Sequence, residues 1–244
     1  MKLVIFGNGF VGNTVADHLE QNTTNKIVRI DPQYFDTKFA DHKDADGAIL
    51  CLPTPTINGK CDDNCIVSVL EELGNDIPVL LKSTVTPDLL ETYPSNVTYN
   101  PEFLRAETAL DDWSNQTYFI LGGNAAGCEF WRNVFSYMDV CFFETNMTTA
   151  SMVRYVHNTW LAAKVAFFHE VYYNLNDSYD HSKMIQILGL FENIGPSHMQ
   201  APNNEGKLGY GGHCFPKDVE AFYNYTNSDI LKSIIETNNK LREL

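Results

Sequence analysis

Short apolar runs alternate with longer amphipathic stretches through the first 145 residues. Residues 2–6 form such a run and stop at Gly7, after which Val11, Val15 and Leu19 recur at the spacing of one helix face. Residues 27–30, 47–52, 79–82, 97–99, 118–121 and 140–143 are further strand candidates, and residues 64–73 carry a helical pattern. A parallel strand covered on both faces reads as an uninterrupted apolar run. Strands alternating with helices therefore predict an α/β fold with a doubly wound parallel sheet.

The pattern then changes. Residues 149–175 are helical throughout, with a wide apolar face and no Pro or Gly, which predicts one helix well beyond the mean length. Residues 189–212 are rich in Gly, Pro and Asn and read as loop, and residues 228–244 return to a helical pattern. The expected division is a sheet domain at 1–145 and a smaller all-α domain at 146–244. Within the long helix, Tyr155, Trp160, Phe167 and Phe168 suit core or dimer packing, and the helix is expected to form a homodimer. Lys164 is expected to snorkel or to pair with Glu170 or an acid of the sheet domain.

Composition narrows the function. Of 244 residues, 17 are Lys or Arg and 31 are Asp or Glu, for a formal net charge of −14. No basic cluster exists to hold a nucleic acid, and a polyanion would be repelled. No apolar run approaches the ~18–20 residues that span a bilayer, so a cytoplasmic location is expected. Six Cys are too few for a disulfide scaffold, and Cys61 and Cys65 have no second ligand pair nearby, so no metal is expected.

Two clusters carry chemistry. Gly7-Asn8-Gly9-Phe10-Val11-Gly12 lies between a predicted strand and a predicted helix, and Asp31 follows Gly12 by 31 − 12 = 19 positions at the end of the next strand. Such a turn brings bare backbone and helix amides to a pyrophosphate, while the acid takes the ribose hydroxyls and repels a 2′-phosphate. The expected cofactor is NAD in a Rossmann-type domain. The second cluster, Gly209-Tyr210-Gly211-Gly212-His213-Cys214-Phe215-Pro216-Lys217-Asp218, sets a cysteine beside glycine backbone. Lys217 would favour its thiolate and Asp218 could orient it, so Cys214 is the candidate nucleophile.

These clusters, together with Leu52-Pro53-Thr54-Pro55-Thr56, Lys82-Ser83-Thr84-Val85 and Asn100-Pro101-Glu102-Phe103-Leu104-Arg105 in that order, resemble the nucleotide-sugar dehydrogenases of the UDP-glucose 6-dehydrogenase type. The helix segment Asn158-Thr159-Trp160-Leu161-Ala162-Ala163-Lys164 is similar to the family's central helix. The resemblance implies two oxidations of a sugar C6 alcohol to the carboxylate through a thioester on Cys214. It implies that Asn158 and a cation one turn earlier stabilise the oxyanion, that Thr84 and Glu102 hold water, and that Thr54, Thr84 and Lys217 line the cofactor beside Gly7, Gly9, Phe10, Val11, Gly12 and Asp31. The substrate contacts it implies are Glu102, Phe103, Leu104, Arg105, Arg154, Asn158 and Gly211.

The sequence departs from the family at three places. Arg154 stands where a lysine is usual, Ala106 replaces a second glutamate and is followed by Glu107, and the chain ends inside a helix that in the family leads to a second nucleotide-binding domain. The expected partners are a nucleotide sugar and a second copy of the chain. The missing nucleotide contacts leave several readings open: a different grip, a separate chain supplying them, another substrate, or an NAD-binding relic. A β-hydroxyacid dehydrogenase, which pairs one Rossmann domain with a helical one, is the alternative enzyme, and a non-catalytic NAD-binding protein the alternative outside enzymes.

Overall fold

A computed structural model describes Met1–Leu244, with the side chain of Asn176 outside the description. Along the chain run β1 (Lys2–Phe6), α1 (Phe10–Asn22), β2 (Lys26–Ile30), β3 (Gly47–Leu50), β4 (Thr56–Ile57), β5 (Lys60–Cys61), α2 (Asn64–Leu73), β6 (Val79–Leu81) and α3 (Pro87–Leu90). There follow β7 (Val97–Tyr99), α4 (Ala109–Ser114), β8 (Tyr118–Gly122), α5 (Ala125–Val134), β9 (Cys141–Thr145), α6 (Met147–Leu175), α7 (His181–Leu188), α8 (Phe215–Thr226) and α9 (Asp229–Arg242). Two compact units result: Met1–Pro55 with Cys61–Arg154, and Thr56–Lys60 with Tyr155–Leu244.

The first unit is a Rossmann-type sheet of seven strands in the order β2-β1-β3-β6-β7-β8-β9. Alternation along each strand divides its core. Val4, Phe6, Ala48, Leu50, Val79 and Leu81 pack with Ile66, Leu70 and Leu73 of α2, whereas Leu3, Ile5, Ile49 and Leu80 pack with Val15, Ala16 and Leu19 of α1 and with Trp131 and Val134 of α5. The parallel expectation holds for five strands. β8 meets β7 antiparallel through the single pair Tyr99 and Gly122, and β9 runs parallel to β8. The chain thus re-enters the sheet from the end it left, so the short α4 need not carry it back across.

The units divide inside α6 at Arg154, later than the position near residue 145 read from the pattern. The reason is packing: Ala150 is fully buried in the sheet's core and the Ser151 hydroxyl donates to Val85 O at 2.6 Å. Gly122 makes room there, since a Cβ on it would lie 2.7 Å from the Ala150 methyl.

The second unit is helical around Ala162, Ala166, Tyr210 and Val219, with Phe215, Ile234 and Ile235 packed against them. It is not purely α, because a hairpin turn joins it. Asn58 and Gly59 both have positive φ, 51° and 76°, as a two-residue type I′ turn requires. The Thr56 hydroxyl fastens this hairpin to Lys217 O at 2.9 Å. The Lys164 ammonium donates to Ile194 O at 2.7 Å and Gly195 O at 3.0 Å, and among the described residues it pairs with no acid. Among the described residues, no helix is long and apolar enough to cross a membrane.

Candidate active site

The turn from β1 into α1 separates what the fold needs from what it does not. A Cβ on Gly12 would sit 1.9 Å from Gly7 O, and Gly7 has φ +87° with Cys51 O at 2.3 Å from any Cβ. Both glycines are demanded by packing. Gly9 is not: its φ is −67°, and a Cβ there would meet nothing within 4 Å. Gly9 is the N-cap of α1, makes no side-chain cap, and has no acid in the first turn after it, so the helix amides present uncompensated donors.

Asp31, at the end of β2, accepts from Asn8 N at 2.7 Å and from Gln33 N at 2.9 Å, one bond to each oxygen. Each carboxylate oxygen keeps a lone pair for a further donor. Arg29, two residues earlier, is taken up by Asn13 at 2.6 Å, Asp17 at 2.6 Å and Glu20 at 2.8 Å on α1. Phe10 and Val11 open the helix, with Phe10 O accepting from the Thr14 hydroxyl at 2.7 Å. Thr54 is buried just beyond the carboxyl end of β3.

A second cluster in the same unit gathers Thr84, Glu102, Phe103 and Arg154. The Arg154 guanidinium is 4% exposed and reaches Thr84 Oγ1 at 3.3 Å and Glu102 Oε1 at 3.4 Å, with Phe103 beneath it at 5.8 Å. A tight charge-assisted pair would close to about 2.7–2.9 Å. The longer contacts leave the guanidinium shared between two acceptors. Glu102 Oε2 is fixed separately by Leu104 N at 2.8 Å. Arg105 does not join this group: it is exposed and pairs with Asp112 at 2.5 Å, holding that carboxyl at about 2. Ala106 and Glu107 are exposed beside it.

Lys82, which opens the motif Lys82-Ser83-Thr84-Val85 but was given no role of its own there, is functional-looking in the fold. It follows β6, is 2% exposed, donates a short bond to Asn100 Oδ1, and stands 4.8 Å over the Trp113 ring. Burial pushes its ammonium down to about 8, while the same burial pushes the Cys51 thiol up to about 12. Its signal in the sequence was a lysine closing an apolar strand.

The second unit holds the cysteine cluster. Cys214 is the N-cap of α8, with Pro216 in the first turn. Asp218, fully buried, accepts from Lys217 Nζ at 2.6 Å on one oxygen and from Asn158 Nδ2 at 2.6 Å on the other. Asn158 Oδ1 faces His157 Nδ1 at 3.1 Å. Before Cys214, the chain is shaped by Gly209, with φ +74°, and Gly212, with φ +76°. A Cβ on Gly209 would lie 2.7 Å from Asn238 Oδ1, which also accepts from Tyr210 N at 2.6 Å. Gly211 lines a cavity of about 350 Å³ together with Gln200, Tyr210 and Arg242.

The sheet and its glycine turn define the class as a Rossmann-type α/β protein. Residues 148–240 match the model of the UDP-glucose/GDP-mannose dehydrogenase family, central domain. The UDP-glucose 6-dehydrogenase of Campylobacter jejuni is 29% identical over an alignment of 289 positions, which covers 98% of this chain and 72% of that enzyme. Further curated relatives are spanned over 23% to 51% of their lengths. A solved UDP-glucose dehydrogenase from Pyrobaculum islandicum shares the fold at a TM-score of 0.87 and 22% identity, over 98% of this chain and 68% of that one. The 3-hydroxyisobutyrate dehydrogenase of Mycobacterium tuberculosis shares it at 0.72 and 15% identity, over 98% of this chain and 92% of that one.

Proposed function

We propose that the protein oxidises the C6 alcohol of a nucleotide sugar to a carboxylate, with NAD as acceptor and Cys214 as nucleophile. The observation that carries the reading is the placement of Cys214 at the N-cap of α8, with the Lys217, Asp218 and Asn158 chain of bonds built on that helix's first turn. A helix N-terminus favours an anion, and so favours the thiolate that must attack.

Bound NAD would accept a hydride in each of two oxidations. The residues fit it: the open edge at Gly9 and the bare α1 amides suit its pyrophosphate, and the remaining lone pairs of Asp31 suit its ribose. The Cys214 thiolate adds to the aldehyde carbon formed first, giving a hemithioacetal whose oxidation yields a thioester. Water then splits the C–S bond, returning the thiol and releasing the carboxylate. The balance is one alcohol, two NAD⁺ and one water to one carboxylate, two NADH and three protons. Asn158, its amide fixed by Asp218, keeps a second N–H for the oxyanion, and Arg154 adds charge. Arg154 stays protonated at any working pH, so proton transfer falls to water held at Thr84 and Glu102. The sugar nucleotide would use the cavity at Gly211.

The 92% coverage of the 3-hydroxyisobutyrate dehydrogenase favours a second reading, a β-hydroxyacid dehydrogenase, but leaves the Cys214 cluster without a task. Incubating the full chain with NAD and UDP-glucose, then with other nucleotide sugars, separates them. Two NADH per sugar are expected. NADH from no nucleotide sugar overturns the proposal, and NADH from a β-hydroxyacid alone selects the second reading. One NADH per sugar would mean that the thioester route is absent.

We also propose a homodimer along α6. Val153, Val156, Trp160 and Phe167 form an exposed apolar stripe at helical spacing, with Trp160 64% and Phe167 61% exposed. Light scattering at micromolar concentration is expected to give twice the chain mass, and Trp160→Glu to return it to the monomer. A native monomer at that concentration refutes the dimer.

A further inference from the structure

The cavity at Gly211 is walled on one side by residues 199–212, which contain no helix or strand to dictate their path. Two buried imidazoles do so instead. His169 of α6, 2% exposed, accepts the Gly209 N–H on Nδ1 at 2.9 Å and has Nε2 at 2.7 Å from Gln200 O. A backbone amide can only donate and a carbonyl only accept. The ring is therefore the neutral tautomer with its proton on Nε2. His181, opening α7 and 7% exposed, accepts the Ala201 N–H on Nε2 at 3.3 Å. Its proton must then sit on Nδ1, toward the Tyr179 hydroxyl at 3.2 Å. The two rings grip the two polar ends of one peptide group, the Gln200 carbonyl and the Ala201 N–H, and His169 ties it to Gly209 at the entrance of the cysteine loop.

We propose that His169 and His181 are positioning residues for the wall of the nucleotide-sugar cavity, and that His169 holds that wall in shape only while it is neutral. The inference rests on the reading of that cavity as part of the substrate site. Protonating His169 would set an N–H against the Gly209 N–H, turning that bond into two opposed donors.

The surroundings do not rescue the charged form. Tyr172 and Tyr179 meet His181 edge-on, and His198, Glu205, Tyr210 and Arg242 share the cavity with His169. Burial lowers His169 below its ordinary value, the bond to Gln200 acts against that, and His181 nearby adds to it. A histidine held neutral contributes stability that is complete above its unfolded value of about 6.5 and fades as pH falls below it. The loop is thus expected to tighten at neutral pH and loosen in acid.

Three measurements on the full chain test this. In ¹⁵N-histidine spectra, His169 should be the Nε2–H tautomer and His181 the Nδ1–H tautomer at pH 7.5; the opposite tautomer at either ring overturns the proposal. Hydrogen exchange over 199–212, corrected for intrinsic rates, should lose protection between pH 7.5 and 5.5, whereas protection unchanged across that range also overturns it. Over the same range the Kd for UDP-glucose should rise about tenfold, as one titrating proton allows. UDP-glucose has no group titrating there. His169→Gln, whose amide offers both an acceptor and a donor, should restore most of the acid affinity, and His169→Phe should lose protection at every pH. Should the loop loosen in acid while no nucleotide sugar binds at any pH, the clamp stands and the proposed function fails.

Discussion

Replacing Cys214 with alanine is expected to cut NADH formation from UDP-glucose by at least about 10³-fold, the scale seen when a covalent nucleophile is removed. The residual activity should release no more than one NADH per sugar, because without the thiolate no hemithioacetal forms and the second hydride has no ready donor. The fold should be untouched, since Cys214 is only partly buried and its side chain does not cap the first turn of α8. Stopped-flow measurement of NADH at 340 nm with a known amount of UDP-glucose reads both quantities. A variant that still yields two NADH per sugar would mean that the thioester does not exist. Alkylation by a cysteine-directed reagent supplies the control: protection of Cys214 by UDP-glucose places the substrate at the thiol.

The glycines of the first turn should split into two kinds under the same substitution. Gly12→Ala puts a methyl 1.9 Å from Gly7 O, and α1 cannot yield without leaving the sheet. The expected cost is at least ~3 kcal/mol, at the upper end for overpacking. Gly9→Ala meets no neighbouring atom and keeps an allowed φ, so its stability should stay within about 0.5 kcal/mol of the native chain. Its NAD affinity should nevertheless fall at least tenfold, because the pyrophosphate needs the bare backbone at that position. Urea melts together with calorimetric NAD titrations distinguish the two. Undiminished NAD binding by Gly9→Ala would remove the cofactor from this turn.

The periodic elements were readable in advance for a plain reason: burial on one or two faces writes itself into the order of apolar residues. Residues 64–73 were read as a helix and form α2, and the long helix begins two residues earlier than its pattern suggested. The β4–β5 hairpin was passed over although Asn58-Gly59 is a strong turn signal, because its strands are two residues long and show no alternation. α8 was hidden by its own chemistry. Pro216 and Asp218 are ordinary first-turn residues, but the glycines just before them carry the loop pattern up to Cys214.

Pairings set by tertiary structure could not be read at all. Arg105 pairs with Asp112 seven positions on, across the start of α4, and Lys164 ends on carbonyls of a loop 30 residues away. The same holds for the histidines. Nothing in the sequence says which ring nitrogen of His169 will face an amide; only the folded loop supplies the donor.

The bond from Tyr210 N to Asn238 has a consequence for synthesis on the ribosome. The loop that shapes the approach to Cys214 is fastened by a side chain 28 residues further along. At elongation rates of ~5–20 residues per second, that gap lasts about 1–6 seconds. For all but the first few residues of that interval the nascent chain already carries its cysteine but not the buttress that gives the loop its form, so the thiol exists before its site does.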